Sequence, residues 1–231
     1  GPPLAGHAAT PFRTSPDARG ADSTPASLAM IGASAVARER GQAWARLGTR
    51  VTLLSRHSLL YREDALLGAH LREIFESEGL RVLEQTQVRE VHHENHRFRL
   101  ETNRGPVEAE RLLIATGRRP NTDSLGLETI GVELDERGAV RVDAALRSNV
   151  ANVYAAGDCA TLPQLVYVAA AAGTRAAIHM TGGEAQLDLT VVPVVIFTDP
   201  QVATVGLSEA AAKARHIEIT HRVLELENVP R

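Results

Sequence analysis

Residues 32–37 read Gly-Ala-Ser-Ala-Val-Ala. A glycine followed by small side chains lets a chain turn sharply and bring its amides close to a charged ligand. In this frame Gly32 makes the turn, Ser34, Ala35 and Val36 leave room for a pyrophosphate, and Ala37 allows the following helix to pack closely. A helix starting near Ser34 aims unpaired amides and the positive end of its dipole at that anion. Ser34 stands where a dinucleotide fingerprint has its second glycine, so the pattern is weak taken alone. A plain βα turn without a ligand is the alternative.

The next apolar run ends in Ser55-Arg56-His57, where a dinucleotide site would carry a carboxylate to accept from a ribose 2′-hydroxyl. Arg56 instead offers a fork that pairs with a 2′-phosphate, which favours NADPH over NADH. Arg62 could add a second charge, although pairing with its neighbours Glu63 or Asp64 is the expected alternative. Thr116-Gly117-Arg118 and Gly157-Asp158 each follow a short apolar run, the place where α/β sheets put ligand-binding turns. Asp158 could accept bonds from cofactor hydroxyls or could simply stabilise a turn.

Other reactive side chains give less. Cys159 is the single cysteine, which excludes an intrachain disulfide, a four-cysteine zinc site and a two-thiol redox centre. It reads as a small buried thiol rather than a redox nucleophile. His92, His93 and His96 lie on a strand and turn, where alternate residues face opposite ways, so no metal site and no catalytic residue is assigned. Trp44 reads as a core residue. The charge balance of 25 Lys and Arg against 28 Asp and Glu provides neither a footprint for nucleic acid nor a basic patch for a membrane. No apolar run approaches the roughly 18 residues of a membrane span, and the opening GPPLAGHAATPF lacks a signal-peptide design, so a cytoplasmic protein is expected.

These groups must be held by an α/β framework. Residues 1–26 are rich in Pro, Ala, Thr and Ser and read as an irregular lead-in. Strand Leu28–Ile31, the glycine turn, a helix from Ser34 to Leu47 ending at Gly48, and strand Val51–Leu54 form a βαβ unit. Leu66, Leu67, Leu71, Ile74 and Phe75 predict a second helix closing at Gly79. Val82–Leu83, Val88–His92, Phe98–Glu101 and Val107–Ala109 predict short strands with a hairpin turn at Asn103-Arg104-Gly105. Leu112–Ala115 returns as a buried parallel strand, which closes a nucleotide-binding domain over residues 27–117. Further strands are expected at Asn152–Ala156, Val191–Phe197 and Val202–Val205, with an alanine-rich helix over Ala169–Met180.

Taken in order, Ile31-Gly32 through Gly48, Ala115-Thr116-Gly117-Arg118-Arg119-Pro120-Asn121 and Tyr154-Ala155-Ala156-Gly157-Asp158 resemble the flavin-linked disulfide oxidoreductases. The stretches from Pro163 to Arg175 and from Phe197 to Gly206, with Asn228-Val229-Pro230-Arg231, are similar to the mercuric reductases within that family. The resemblance covers essentially the whole chain. It implies an α/β fold: a Rossmann-like three-layer NADPH-binding domain, part of a second FAD-binding α/β domain, and the start of an α+β interface domain. The implied divisions are 1–26 as the end of a first FAD segment and linker, 27–117 for NADPH, 118–190 as the second FAD segment, and 191–231 as the start of a dimerisation domain. Gly1 in place of Met and the abrupt ENVPR ending read as an internal piece. Implied roles place Glu39 near nicotinamide and flavin, Asp158 on the FAD ribityl chain and Val166 beside the flavin. The implied activity is transfer of electrons from NADPH through FAD and thiols to Hg(II) in a homodimer, with this piece holding the electron-input side.

Two alternatives stay open: a dihydrolipoamide dehydrogenase-like enzyme using NAD, and a nucleotide-binding remnant that has lost catalysis. The second is motivated by the missing cysteine pair and by Arg38 and Arg40, which stand where the family prefers apolar residues. Arg40 falls on the expected buried stripe Val36, Arg40, Ala43, Trp44 and Leu47 and would have to snorkel outward. Gly41 costs the helix roughly 1 kcal/mol relative to alanine.

Overall fold

The computed structural model describes residues 10–12, 23–225 and 228. Residues 1–9 and 13–22 of the expected lead-in, and Val229, Pro230 and Arg231, lie outside them. The chain forms two compact units, residues 1–116 with 193–231, and residues 117–192.

The first unit is built on four parallel strands, β1 (Ser27–Ile31), β2 (Arg50–Leu54), β3 (Arg81–Leu83) and β7 (Arg111–Ile114), in the order β3-β2-β1-β7. Helices α1 (Ala35–Arg46) and α2 (Ala65–Ser77) connect β1 to β2 and β2 to β3. An antiparallel sheet of β4 (Val88–Glu94), β5 (Arg97–Thr102) and β6 (Val107–Ala109) precedes β7. Its first turn holds Asn95 and His96 at φ 49° and 61°, the left-handed pair that a two-residue hairpin requires. Its second turn is the expected one, with Gly105 at φ 96°.

Strand side chains alternate between faces, and in β1 and β7 both faces are apolar. Leu28 and Met30 of β1, with Leu113 of β7, share a core with Ala37, Leu71 and Phe75 of the helices. Ala29 and Ile31, with Leu112 and Ile114, pack against Val91, Phe98, Leu100 and Val107 of the antiparallel sheet. Helices, parallel sheet and antiparallel sheet are therefore three layers, and the continuous apolar runs of the sequence are the middle one.

Helix α1 begins where expected, with Ser34 as its N-cap. Its buried face is not the expected stripe. Ala37, Arg38, Gly41 and Gln42 are buried, whereas Leu47 is 65% exposed and Ala43 faces solvent. On one side Gly41 faces β1, where a Cβ would lie 3.4 Å from the Met30 sulfur, in van der Waals contact. On the other side Gln42 is covered by the segment carrying β8 (Val194–Ile196) and β9 (Val202–Thr204), an antiparallel pair whose Ile196 and Val202 join the helical core. Arg38, not Arg40, is the buried guanidinium. It is 8% exposed, its Nε has no hydrogen-bond partner, and burial holds its pKa below the usual arginine value. Trp44 is partly buried against the same core, as a core residue should be. The short helix α4 (Glu209–Ala214), capped by Ser208, follows β9.

The second unit contains one 3-10 turn, Leu127–Ile130, and helix α3 (Val166–Met180), which starts three residues ahead of the expected alanine-rich run. The expected strand over Asn152–Ala156 is reduced to a single bridge between Arg147 and Tyr154. Asn152 has φ 65° and belongs to the preceding turn, which leaves too short an extended stretch to build a ladder. Small clusters around Val140 and Ala160, and around Leu146, Ala172 and Ala176, form its core. Among the described residues no helix is long and apolar enough to cross a membrane.

Candidate functional site

The strand order reverses between β1 and β7, because β2 and β3 lie to one side of β1 and β7 to the other. Open α/β sheets bind ligands at such a switch point, beyond the carboxyl ends of the strands. Gly32 lies there, directly after β1. Its N–H donates to the Leu54 carbonyl at 2.9 Å. Its φ is 102°, and a Cβ would stand 2.6 Å from the Ala115 oxygen and 2.9 Å from the Thr116 Cα. The turn thus crosses the end of β7 in contact with it, which only glycine permits.

At the start of α1, the Ser34 hydroxyl accepts from Ala37 N–H at 3.3 Å and the Ser34 carbonyl from Arg38 N–H at 3.1 Å. The first-turn amides outside these capping bonds are those of Ala35 and Val36, and helix-start amides have no partner within the helix. The structure therefore places Gly32 against Thr116 beyond the carboxyl ends of β1 and β7, with Ser34, Ala35 and Val36 following at the positive end of the α1 dipole.

Arg56 follows the end of β2 and is exposed. The residue before it is anchored: Ser55 N–H donates to Leu83 O at 2.9 Å, and Ser55 O accepts from Thr86 at 2.8 Å. Farther along this loop the His57 and Tyr61 rings stack at 4.4 Å, and the Arg62 guanidinium carbon lies 5.3 Å from the Tyr61 centroid. The expected pairing of Arg62 with Glu63 or Asp64 is not formed among the described residues. Asp64 instead caps α2 by accepting from Leu66 N–H at 2.9 Å, and the arginine takes the aromatic face. The loop lies against α2 at Gly68, where a Cβ would overlap the Leu59 oxygen, and is tied to the residue after β3 by Leu59 N–H donating to the Glu84 carboxylate at 2.6 Å.

Glu39 is half-buried on α1, and its Oε1 accepts from the backbone N–H of Phe197 at 2.9 Å. One turn on, Gln42 bonds to the backbone of Asp199 through both ends of its amide. Gln42, Arg46 and Glu78 carried no signal in the sequence that set them apart. Their partners lie on other elements, and only the helical spacing of 39, 42 and 46 hinted that they share a face.

In the second unit Arg118 and Asp158, singled out separately, are in contact: Nη1 donates to Oδ2 at 2.7 Å. Both side chains are largely open to solvent, at 64% and 41%, so the pair contributes about 1 kcal/mol at most. Arg137 donates to the Arg118 carbonyl at 3.2 Å. Gly117 is exposed with φ 118°. Gly157 is buried with φ 84°, and a Cβ there would meet Ala169 at 3.4 Å. The Cys159 thiol lies 3.4 Å from Ala156 O. Val166, the first residue of α3, is 87% exposed and Tyr167 is 47% exposed, an unusual apolar display beside a helix start. Away from these groups, His92 sits 3.4 Å from Glu90 and His93 packs on Phe98.

Comparison with known proteins places these features in a family. Residues 3–173 match the family described as pyridine nucleotide-disulphide oxidoreductase, and residues 192–231 match its dimerisation domain. The mercuric reductase of Shewanella putrefaciens is 54% identical over all of this chain and 41% of its own length. That of Shigella flexneri is 50% identical over all of this chain and 42% of its own length. Among solved structures, the Cu(II) complex of the HOCl-induced flavoprotein disulfide reductase RclA from Escherichia coli superposes with TM-score 0.87 at 28% identity, covering 94% of this chain and 51% of that one. LpdA from Mycobacterium tuberculosis superposes at 0.78 with 31% identity, covering 84% and 43%. The chain thus spans about two-fifths of the length of the mercuric reductases it matches.

Proposed function

The chain belongs to the pyridine nucleotide-disulphide oxidoreductase family, and from that premise we propose that it is the electron-input part of a mercuric reductase, binding NADPH and FAD. The close approach of Gly32 to Ala115 at the switch point of the parallel sheet carries this reading. Residues 27–117 bind NADPH. Its diphosphate lies against Gly32, Ser34, Ala35 and Val36, its 2′-phosphate takes Arg56 and Arg62, and Glu39 faces the nicotinamide. Residues 118–190 carry Arg118, Gly157, Asp158 and Val166 toward FAD, with Thr116 and Gly117 at the entry to that segment. Asp158 has one oxygen on Arg118, and its second oxygen is the acceptor for a cofactor hydroxyl. Exposed Val166 provides an apolar edge for a flat ring. Residues 191–231 begin the part through which two chains associate as a homodimer. The working location is the cytoplasm, where NADPH is supplied.

Bound FAD would supply acceptance of hydride from NADPH and passage of the electron pair to a disulfide, whose resulting thiolates would pass it on to the substrate Hg(II) to give Hg(0). This chain's residues bind and orient the donor. Arg56 and Arg62 fix its phosphate end by charge-assisted bonds, and the helix dipole of α1 stabilises its diphosphate. Cys159 is the single cysteine, so a thiol pair is not supplied by these residues, and the chain alone is expected to bind NADPH without reducing Hg(II).

The test is titration of Trp44 fluorescence with NADPH and NADH, on the chain as it stands and with Arg56→Ala. NADPH is expected to bind more tightly than NADH, and Arg56→Ala to weaken NADPH about 10- to 100-fold, as loss of a charge-assisted bond does, with NADH unchanged. Equal binding of the two nucleotides would overturn the 2′-phosphate assignment. Binding of neither would overturn the nucleotide site.

A further inference from the structure

Glu39, Gln42 and Arg46 lie on one side of α1, three and four residues apart. All three reach the same short segment, Phe197 to Asp199. Gln42 is 3% exposed. Its Oε1 accepts from Asp199 N–H at 2.8 Å, and its Nε2 donates to Asp199 O at 2.7 Å and to both Glu78 carboxylate oxygens at 3.2 Å. A flipped amide would set its oxygen against a carbonyl and a carboxylate, so only one orientation satisfies these partners. Arg46 closes the arrangement, with Nη1 2.9 Å from Asp199 Oδ2 and Nη2 and Nε at 2.6 and 3.0 Å from the Glu78 oxygens. One turn toward the start of the helix, Phe197 N–H donates to Glu39 Oε1 at 2.9 Å. The Phe197 ring is no anchor, because the residue is 69% exposed; the backbone is what α1 holds.

We infer that Gln42 is a positioning residue for Glu39: by pairing with the backbone of Asp199 it sets the Phe197 N–H against the Glu39 carboxylate and fixes the rotamer in which that carboxylate meets the nicotinamide end of NADPH. This rests on the reading that NADPH binds at the start of α1. A glutamate on a helix surface samples several rotamers, and an N–H carried by an anchored backbone selects one of them at the cost of a single lone pair. Oε2 is then presented to the cofactor without the entropy loss of ordering it on binding. Gln42 touches neither substrate nor cofactor; its effect passes through Asp199 and Phe197 to Glu39.

The test compares NADPH with adenosine 2′,5′-bisphosphate, which has the 2′-phosphate but no nicotinamide, on the 231-residue chain. Gln42→Ala is expected to weaken NADPH about tenfold and to leave the bisphosphate within about twofold. Arg46→Ala, at an exposed position, loosens the same segment without a buried void and is expected to weaken NADPH selectively by about threefold. Amide exchange supplies a reading independent of nucleotide: Phe197 exchange should quicken in Gln42→Ala and Glu39→Ala and stay slow in Glu39→Gln, which keeps the acceptor. Equal losses for both ligands, no loss for NADPH, or unchanged Phe197 exchange would overturn the positioning role and leave the NADPH site standing. Failure of the unsubstituted chain to bind either ligand would overturn the site itself, and the inference with it.

Discussion

A Cβ placed on Gly32 would come within 2.6 Å of the carbonyl oxygen of Ala115, so the turn after β1 and the end of β7 occupy space that admits no side chain. Gly32→Ala adds a left-handed backbone conformation, at φ 102°, to this collision. Strain of that kind costs about 1–3 kcal/mol before any steric term. Denaturant unfolding should show a loss of about 3 kcal/mol, with nucleotide affinity falling as well. A loss under about 0.5 kcal/mol would mean that the turn does not lie against β7.

Arg38 predicts the opposite sign. A buried guanidinium with an unpartnered Nε at the positive end of a helix is unfavourable in both desolvation and dipole terms. Replacement by an apolar side chain of similar length, Arg38→Met, should stabilise the chain by about 1–3 kcal/mol. The melting temperature checks this, and a drop would reveal a partner that stabilises the charge.

Gly41→Ala should also stabilise, by up to about 1 kcal/mol. The added methyl meets Met30 Sδ at 3.4 Å and Leu80 Cδ2 at 3.6 Å, ordinary van der Waals distances, and the helix gains propensity. Lower stability in urea titration would show that α1 cannot accommodate the methyl against β1.

Glu78 gives a pH dependence. Its bonds from Arg46, and more weakly from Gln42, hold its carboxyl below the usual glutamate range against the opposing effect of burial. A group depressed on folding contributes stability above its unfolded value, about 4.3, and that contribution is lost as pH falls through the lower folded value. Wild type should exceed Glu78→Gln in stability at pH 7, and the difference should shrink below about pH 4.5. A difference that grows on acidification would contradict the assigned direction.

The sequence carried most of the central sheet, because β1 and β7 are covered on both faces and so read as unbroken apolar runs. The glycine turns at Gly32, Gly48, Gly79 and Gly105 were legible for a local reason, since each has positive φ. The buried face of α1 was not legible. It depends on a segment more than 150 residues away that covers Gln42, which helical periodicity does not encode. The second unit was less legible again: Asn152 looks like the start of a strand but takes a turn conformation. At the candidate site, Arg56, Ser34 and Asp158 stood out by residue type and position, while Gln42 and Glu78 are defined by what they touch. The alternative pairing of Arg62 with Glu63 or Asp64 is not formed, since Asp64 caps α2 and the guanidinium lies over the Tyr61 ring.

The placement of β1 has a bearing on the order in which the chain can assemble during synthesis. Met30 pairs with Leu53 on one side and with Leu113 on the other, so a growing chain can satisfy the first edge early but must wait for β7 before the second. The β4–β5–β6 meander lies wholly within that interval and closes through short turns, so it can form first and offer the apolar face of Val91, Phe98 and Leu100 as a template. Until Arg111 to Ile114 arrive, the centre of the sheet is an open, sticky edge. The hazard for this protein in the cell therefore lies in a brief translational window, and slowing elongation just before β7 should raise aggregation of nascent chains more than slowing it after.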